Sequence, residues 1–210
     1  MFSGPIQRMG PGLSSGEGED VGGDSPTGEI EVDARAILDF WFGEVPPEKH
    51  FTTDDALDAE IGLRFGALRD AVLASDAAGW RETPDTLLAA IILLDQFSRN
   101  IHRDTRQAFA ADPLALALTQ EAIARGWDEA IDAERRAFLY MPLMHAENPA
   151  VQRESVACFT RLGNEENLGY AHEHAAVIER FGRFPSRNAA LGRVSTPGER
   201  AWLSQPGAGW

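Results

Sequence analysis

From Glu31 onward, apolar residues recur every three or four positions, and no stretch alternates strictly with β-branched residues. That spacing lays a stripe along one side of a helix, whereas in a strand it would scatter over both faces. Leu57, Ile61, Phe65, Leu68 and Val72 form one stripe; Leu114, Ala117 and Leu118 begin another; Val151, Cys158, Phe159 and Leu162 form a third. Four helix starts are legible because a capping residue directly precedes proline: Thr83-Pro84, Asp112-Pro113, Asn148-Pro149 and Thr196-Pro197. The first side chain can accept from a free backbone N–H, and proline loses nothing at the first helical position. Thr196 with Glu199 also has the spacing of a capping box. Gly126, Gly163 and Gly182 are the expected stops, since glycine enters the left-handed region cheaply. The chain is therefore read as all-α, an array of about seven or eight antiparallel helices joined by short turns. Pro113 and Pro149 lie 36 residues apart, close to the ~34-residue period of helix–turn–helix repeats. No side-chain signature recurs with that period.

Residues 1–29 read differently. They hold eight glycines, five acids and one arginine, too little apolar surface to offset the entropy of ordering. They are expected to be a disordered glycine-rich acidic tail ahead of a single helical domain over 30–210. At 210 residues the chain is one domain by size, and 43% hydrophobic residues can fill its core. A net charge of -14 disfavours nucleic acid and anionic membrane surfaces as partners. The longest apolar run, Leu87 to Leu94, is far below the ~20 residues that span a bilayer. The one cysteine, Cys158, excludes an internal disulfide, and no signal-peptide pattern opens the chain, so a cytoplasmic location is expected.

Four places depart from a plain amphipathic array. Asp95 shares a helix face with Leu88 and Ile91, which points its carboxylate inward, and Arg99 follows one turn later. The pair reads either as a structural ion pair or as a carboxylate orienting Arg99, beside Asn100, toward an anionic ligand. His145 falls on one face with Phe138, Met141 and Pro142, and Pro142 is expected to kink that helix. His174 shares a face with Tyr170, Val177 and Phe181, whereas His172 points nearly the opposite way. Either inward histidine is a satisfied core residue or a proton carrier. Residues 180–193 then carry Arg180, Arg183, Arg187 and Arg193, with Asn188 and no acid, in what reads as a loop after Gly182. Phe181 and Phe184 would pin it while Arg183 and Arg187 project toward a carboxylate or phosphate. Alternatively, these arginines bridge helix C-terminal carbonyls and nearby acids.

These places carry a resemblance. Ile37-Leu-Asp-Phe-Trp-Phe-Gly43, Leu94-Asp-Gln-Phe-Ser-Arg-Asn-Ile101, Phe138-Leu-Tyr-Met-Pro-Leu-Met-His145 and Arg180-Phe-Gly-Arg-Phe-Pro185 resemble a family catalogued as domain of unknown function 924. The resemblance covers residues 35–200. It implies an all-helical fold similar to tetratricopeptide-type arrays and brings no activity with it. His145 and His174 match the family pattern and His172 does not. Ser186 stands where the pattern has His after Phe-Pro, which counts against a metal site in the arginine loop, and Arg106 stands where it often has Pro.

Three functional readings are open. In the first, Asp95, His145 and His174 are the catalytic candidates, and Arg99, Asn100, Arg180, Arg183, Arg187 and Asn188 hold a small anionic metabolite. In the second, the array is a scaffold for a peptide or protein partner, with Trp41, Trp80 and Trp127 as anchors or as core. In the third, the histidines and arginines form one structural network with no ligand. No cofactor and no metal are expected: glycine-rich phosphate loops, HExxH and cysteine-rich spacings are absent, and no GxSxG nucleophile motif occurs.

Overall fold

The computed structural model describes Met1 and residues 26–207. The expected disorder of the tail up to residue 25 therefore lies outside the described residues. The folded part starts earlier than expected, because residues 26–29 already belong to the first helix.

The chain is all-α. In order come α1 (Pro26–Asp39), α2 (Asp55–Ala74), α3 (Pro84–Ile92), α4 (Ser98–Ile101), α5 (Asp112–Ala124), α6 (Ala133–Met144), α7 (Pro149–Leu162), α8 (Glu165–Phe181), α9 (Asn188–Leu191) and α10 (Pro197–Leu203). Among the described residues no strand forms, and no helix is long and apolar enough to cross a membrane. Eight of these helices have seven residues or more, in line with the sequence pattern.

Local signals place most ends. Thr83 and Thr196 both close capping boxes, Asn148 accepts from the N–H groups of Ala150 and Val151, and each is followed by proline at the first helical position. Gly163 and Gly182 end α7 and α8 with φ of 77° and 70°, the left-handed conformation only glycine adopts without penalty. Asp112 departs from its expected role: α5 starts at Asp112 itself, Ala111 is the cap position, and no side chain caps the helix.

Two wide π turns interrupt the regular array, Phe40–Glu44 directly after α1 and Leu93–Phe97 between α3 and α4. A π turn inserts an extra residue into helical spacing and re-aims the chain beyond it. The helical spacing is therefore offset at those two places. The chain's second half comes nearest to an array: α6 packs on α7 and α7 on α8, each joined to the next by a short turn.

The core runs through this framework. Leu87 to Leu94 is buried throughout, with Trp41, Phe97, Tyr140 and Phe159 around it. Trp41 and Trp80 are core residues, Trp127 packs at the margin of the core, and Cys158 is buried as expected. A smaller cluster of Val177, Ile178 and Phe184, with Phe181 and Trp202 against it, fastens the chain after α8 to α10.

α6 runs unbroken through Pro142 and ends at His145, which is its C-cap rather than an interior residue. The carbonyls of that last turn are held by Gln152 of α7, whose buried amide donates to Met144 O at 2.7 Å and Ala146 O at 2.8 Å. Removing a donor from buried carbonyls costs ~1–3 kcal/mol. Gln152→Ala is therefore expected to lower unfolding free energy by that amount in urea titration; a loss below ~0.5 kcal/mol, the size of an ordinary surface substitution, would show that α6 ends securely without it.

Candidate functional site

Five of the nine candidate residues converge. The π turn Leu93–Phe97 buries Asp95, whose side chain is 1% exposed. Its Oδ1 lies 2.8 Å from His145 Nδ1 and 2.9 Å from an Arg99 Nη1. Its Oδ2 accepts from the Gln96 amide at 2.6 Å. Arg99 bends back to donate to the Asp95 carbonyl at 2.8 Å and reaches across to Asp112 at 3.1 Å. Arg187 also donates to Asp112 at 3.1 Å, and to the His145 carbonyl at 2.9 Å. The His145 and His174 rings stand 6.2 Å apart, and Phe184 packs edge-on against His174. Thus His145, His174 and Arg187 share one place, drawn from the end of α6, the middle of α8 and the turn after α8.

The remaining candidates are placed elsewhere. Asn100 donates to Asp58 on α2. Arg180 is exposed and lies over the neighbouring Phe181 ring. Arg183 does not project: it forks onto Glu199 at 2.7 and 2.9 Å, the same glutamate that closes the capping box of α10. Asn188 is buried and donates to Ser195. Nor is the segment simply a loop, because Pro185–Arg187 forms a 3-10 turn and α9 comes directly after it. His172 is exposed, as its helix position implied.

Sequence reasoning missed Asp112 as a site residue, having read it as a helix cap. It also missed the clamp made by Glu147, which accepts from the Phe184 N–H at 2.7 Å and from both ends of the Arg193 fork at 2.7 and 2.9 Å. Glu147 ties the turn after α8 to the end of α6, so the arginine segment is held against His145 by charge as well as by its phenylalanines. Phe109 was not singled out either. Its ring faces both guanidinium groups, 5.7 Å from Arg99 and 4.7 Å from Arg187, a distance at which the ring quadrupole attracts a cation.

The electrostatics arise from burial. Burial alone would push the Asp95 carboxyl up, but the Arg99 charge and the hydrogen bonds of His145 and Gln96 outweigh it and hold Asp95 well below the usual carboxylate range. His145 is pushed down by burial, and the Arg99 and Arg187 charges add to this against the pull of Asp95. Lowered from its ordinary value, the ring is neutral near pH 7 and its Nδ1–H donates to Asp95. His174, whose Nδ1 donates to the Tyr170 carbonyl at 2.8 Å, is lowered to about 3 by burial and the neighbouring His145, Arg187 and Arg99. Burial and the like charge of Arg99 lower Arg187 to about 10. Among the described residues no group of three or more histidines, cysteines or acids is arranged to hold a metal ion.

A family model described as "Bacterial protein of unknown function (DUF924)" matches residues 37–207. The chain belongs to that family. Its fold is similar to the solved structure of ATU0120, a protein of unknown function from Agrobacterium tumefaciens, with a TM-score of 0.79 and 40% identity. The match covers 83% of this chain and 98% of that one. Among curated proteins none matches. In this DUF924 protein, then, the chemistry has to be read from the cluster itself.

That cluster sets a pH dependence. A histidine lowered by folding takes up its proton more readily when unfolded, so stability is lost as pH falls below ~6.5, the free imidazole value. A carboxylate lowered by folding adds stability that is present above ~4 and is lost as pH falls toward the folded value. Both signs agree. Unfolding free energy is expected to be level from pH 7 to 8 and to decline steadily below 6.5, with His174→Gln flattening the upper part of the decline. Unchanged stability from pH 6.5 to 4 would contradict the neutral, buried histidines.

Proposed function

We propose that this protein binds a small oxyanion, a carboxylate or a phosphate, at the Arg99–Arg187 pair, with His145 accepting or returning a proton of the bound metabolite. The observation that carries this reading is the joining of an oriented base to two guanidinium groups at a place solvent still reaches. Side-chain exposure is 17% for His145, 21% for Arg99, 12% for Arg187 and 19% for Asp112, whereas Asp95 behind them is sealed. With Nδ1 turned to Asp95, the opposite ring nitrogen of His145 carries the lone pair. A neutral imidazole held by a carboxylate is the form required of a general base near neutral pH. The Arg187 guanidinium, set between Phe109 and Phe184, and that of Arg99, over Phe109, are weakly hydrated planar groups, which suits bidentate recognition of an oxyanion.

The partner-binding reading draws less support. A groove of about 620 Å³ lies between α1 and the starts of α3 and α6, away from this cluster. Its walls include Glu31, Asp39, Asp85, Asp132, Arg35 and Arg135, a mixed charged lining rather than a continuous apolar channel for a partner helix.

The test is the melting temperature across inorganic phosphate, phosphate monoesters and small carboxylates, with Arg187→Ala and His145→Asn alongside. A ligand at a hundred times its dissociation constant adds ~2.7 kcal/mol to stability. A shift in the parent that is lost in Arg187→Ala and kept in His145→Asn is expected. A parent that responds to no anion, beside an Arg187→Ala variant that folds normally, would sink the proposal.

A further inference from the structure

Asp112 is placed where an aspartate before proline ordinarily turns back to cap its helix, yet it caps nothing. Its Oδ2 instead receives Arg99 Nη2 and Arg187 Nη1, each at 3.1 Å, and its Oδ1 lies 3.1 Å from Arg99 Nη1 with no hydrogen bond of proper geometry. One carboxylate therefore serves two guanidinium groups and fits neither fork well.

Three two-contact arginine–carboxylate forks in the chain are tighter. Arg183 on Glu199, Arg193 on Glu147 and Arg103 on Asp58 each make two contacts of 2.7 and 2.9 Å. Those are the lengths of good charge-assisted forks. The contrast arises because Asp112, tethered at the first turn of α5, divides one oxygen between two guanidinium groups and so completes a fork with neither. A free oxyanion is not so constrained.

We infer that Asp112 is a built-in occupant of the oxyanion site, displaced when the carboxylate or phosphate group of a small molecule binds between Arg99 and Arg187. This rests on the anion-binding reading above and adds to it both the seat of the ligand group and the reason the site is closed without one. Phe109 backs both guanidiniums and Phe184 backs that of Arg187. The ligand group then enters from the side Asp112 now covers. Because the site is competent only while Asp112 is swung away, the measured affinity is reduced by that fraction.

The experiment titrates the full chain and Asp112→Asn with inorganic phosphate and, separately, acetate, by calorimetry. Asparagine keeps the shape and removes the competing charge. The inference predicts an affinity at least ~10-fold higher in Asp112→Asn, the gain expected where the site is open one-tenth of the time, and its loss in Asp112→Asn with Arg187→Ala. The stronger of the two anions tells phosphate from carboxylate. Equal or weaker binding in Asp112→Asn, beside parent binding that depends on Arg187, overturns the built-in occupant and leaves the anion site standing. Silence from both proteins overturns both. If Asp112→Asn fails to fold in dilute buffer, refolding is followed against phosphate concentration: recovery supports the inference, and none at any concentration overturns it.

Discussion

A carboxylate sealed inside a helical protein has to be paired or protonated, and the arrangement around Asp95 depends on which of these occurs. Arg99, His145 and Gln96 together supply more than burial takes away, so the group stays charged. Removing one partner of such a buried set costs ~3–5 kcal/mol, because the remaining charge is left without compensation. Two separate parts of the chain are thereby held in register: the continuous helical run that carries Asp95 and Arg99, and the end of α6. The histidine gains an orientation from the same contact, and this is where structural demand and chemical capacity meet in one hydrogen bond.

Around that anchor the protein distributes its positive charge with care. Residues 180–193 carry four arginines without an acid, and the fold answers three of them with acids from elsewhere: Glu199 for Arg183, Asp112 for Arg187 and Glu147 for Arg193. Two of these answers are tight forks that close the C-terminal segment onto the body. The third is loose and shared. The alternative in which the arginines bridge helix ends and acids therefore describes Arg183 and Arg193 well, and Arg187 in part, through the His145 carbonyl. It is the shared contact at Asp112 that distinguishes the candidate site from the rest of the network.

Much of the fold was legible because its signals are local. A threonine or asparagine before proline, or a glycine after an apolar stripe, settles a helix end within a few residues. Asp95 with Arg99 was legible for the same reason, since their spacing is one helical turn. The features that escaped were set by distant parts of the chain. Asp112 has the local form of a cap, and only the arrival of Arg99 and Arg187 explains why it does not act as one. The π turn at Leu93–Phe97 has no sequence mark comparable to a proline or glycine, and Pro142, which does carry one, leaves α6 unbroken. Arg183, Asn100 and Asn188 were drawn away by Glu199, Asp58 and Ser195, partners that residue type alone does not reveal.

The candidate site depends on Asp95 remaining ionised and fixing a neutral His145 with its proton on Nδ1. Nitrogen-15 chemical shifts of the imidazole, assigned with a His145→Gln sample, read this directly. At pH 7 the expected result is a neutral ring protonated at Nδ1, with the opposite nitrogen unprotonated and titration only below the usual histidine value. A proton on the opposite nitrogen, or a charged ring at pH 7, would contradict it.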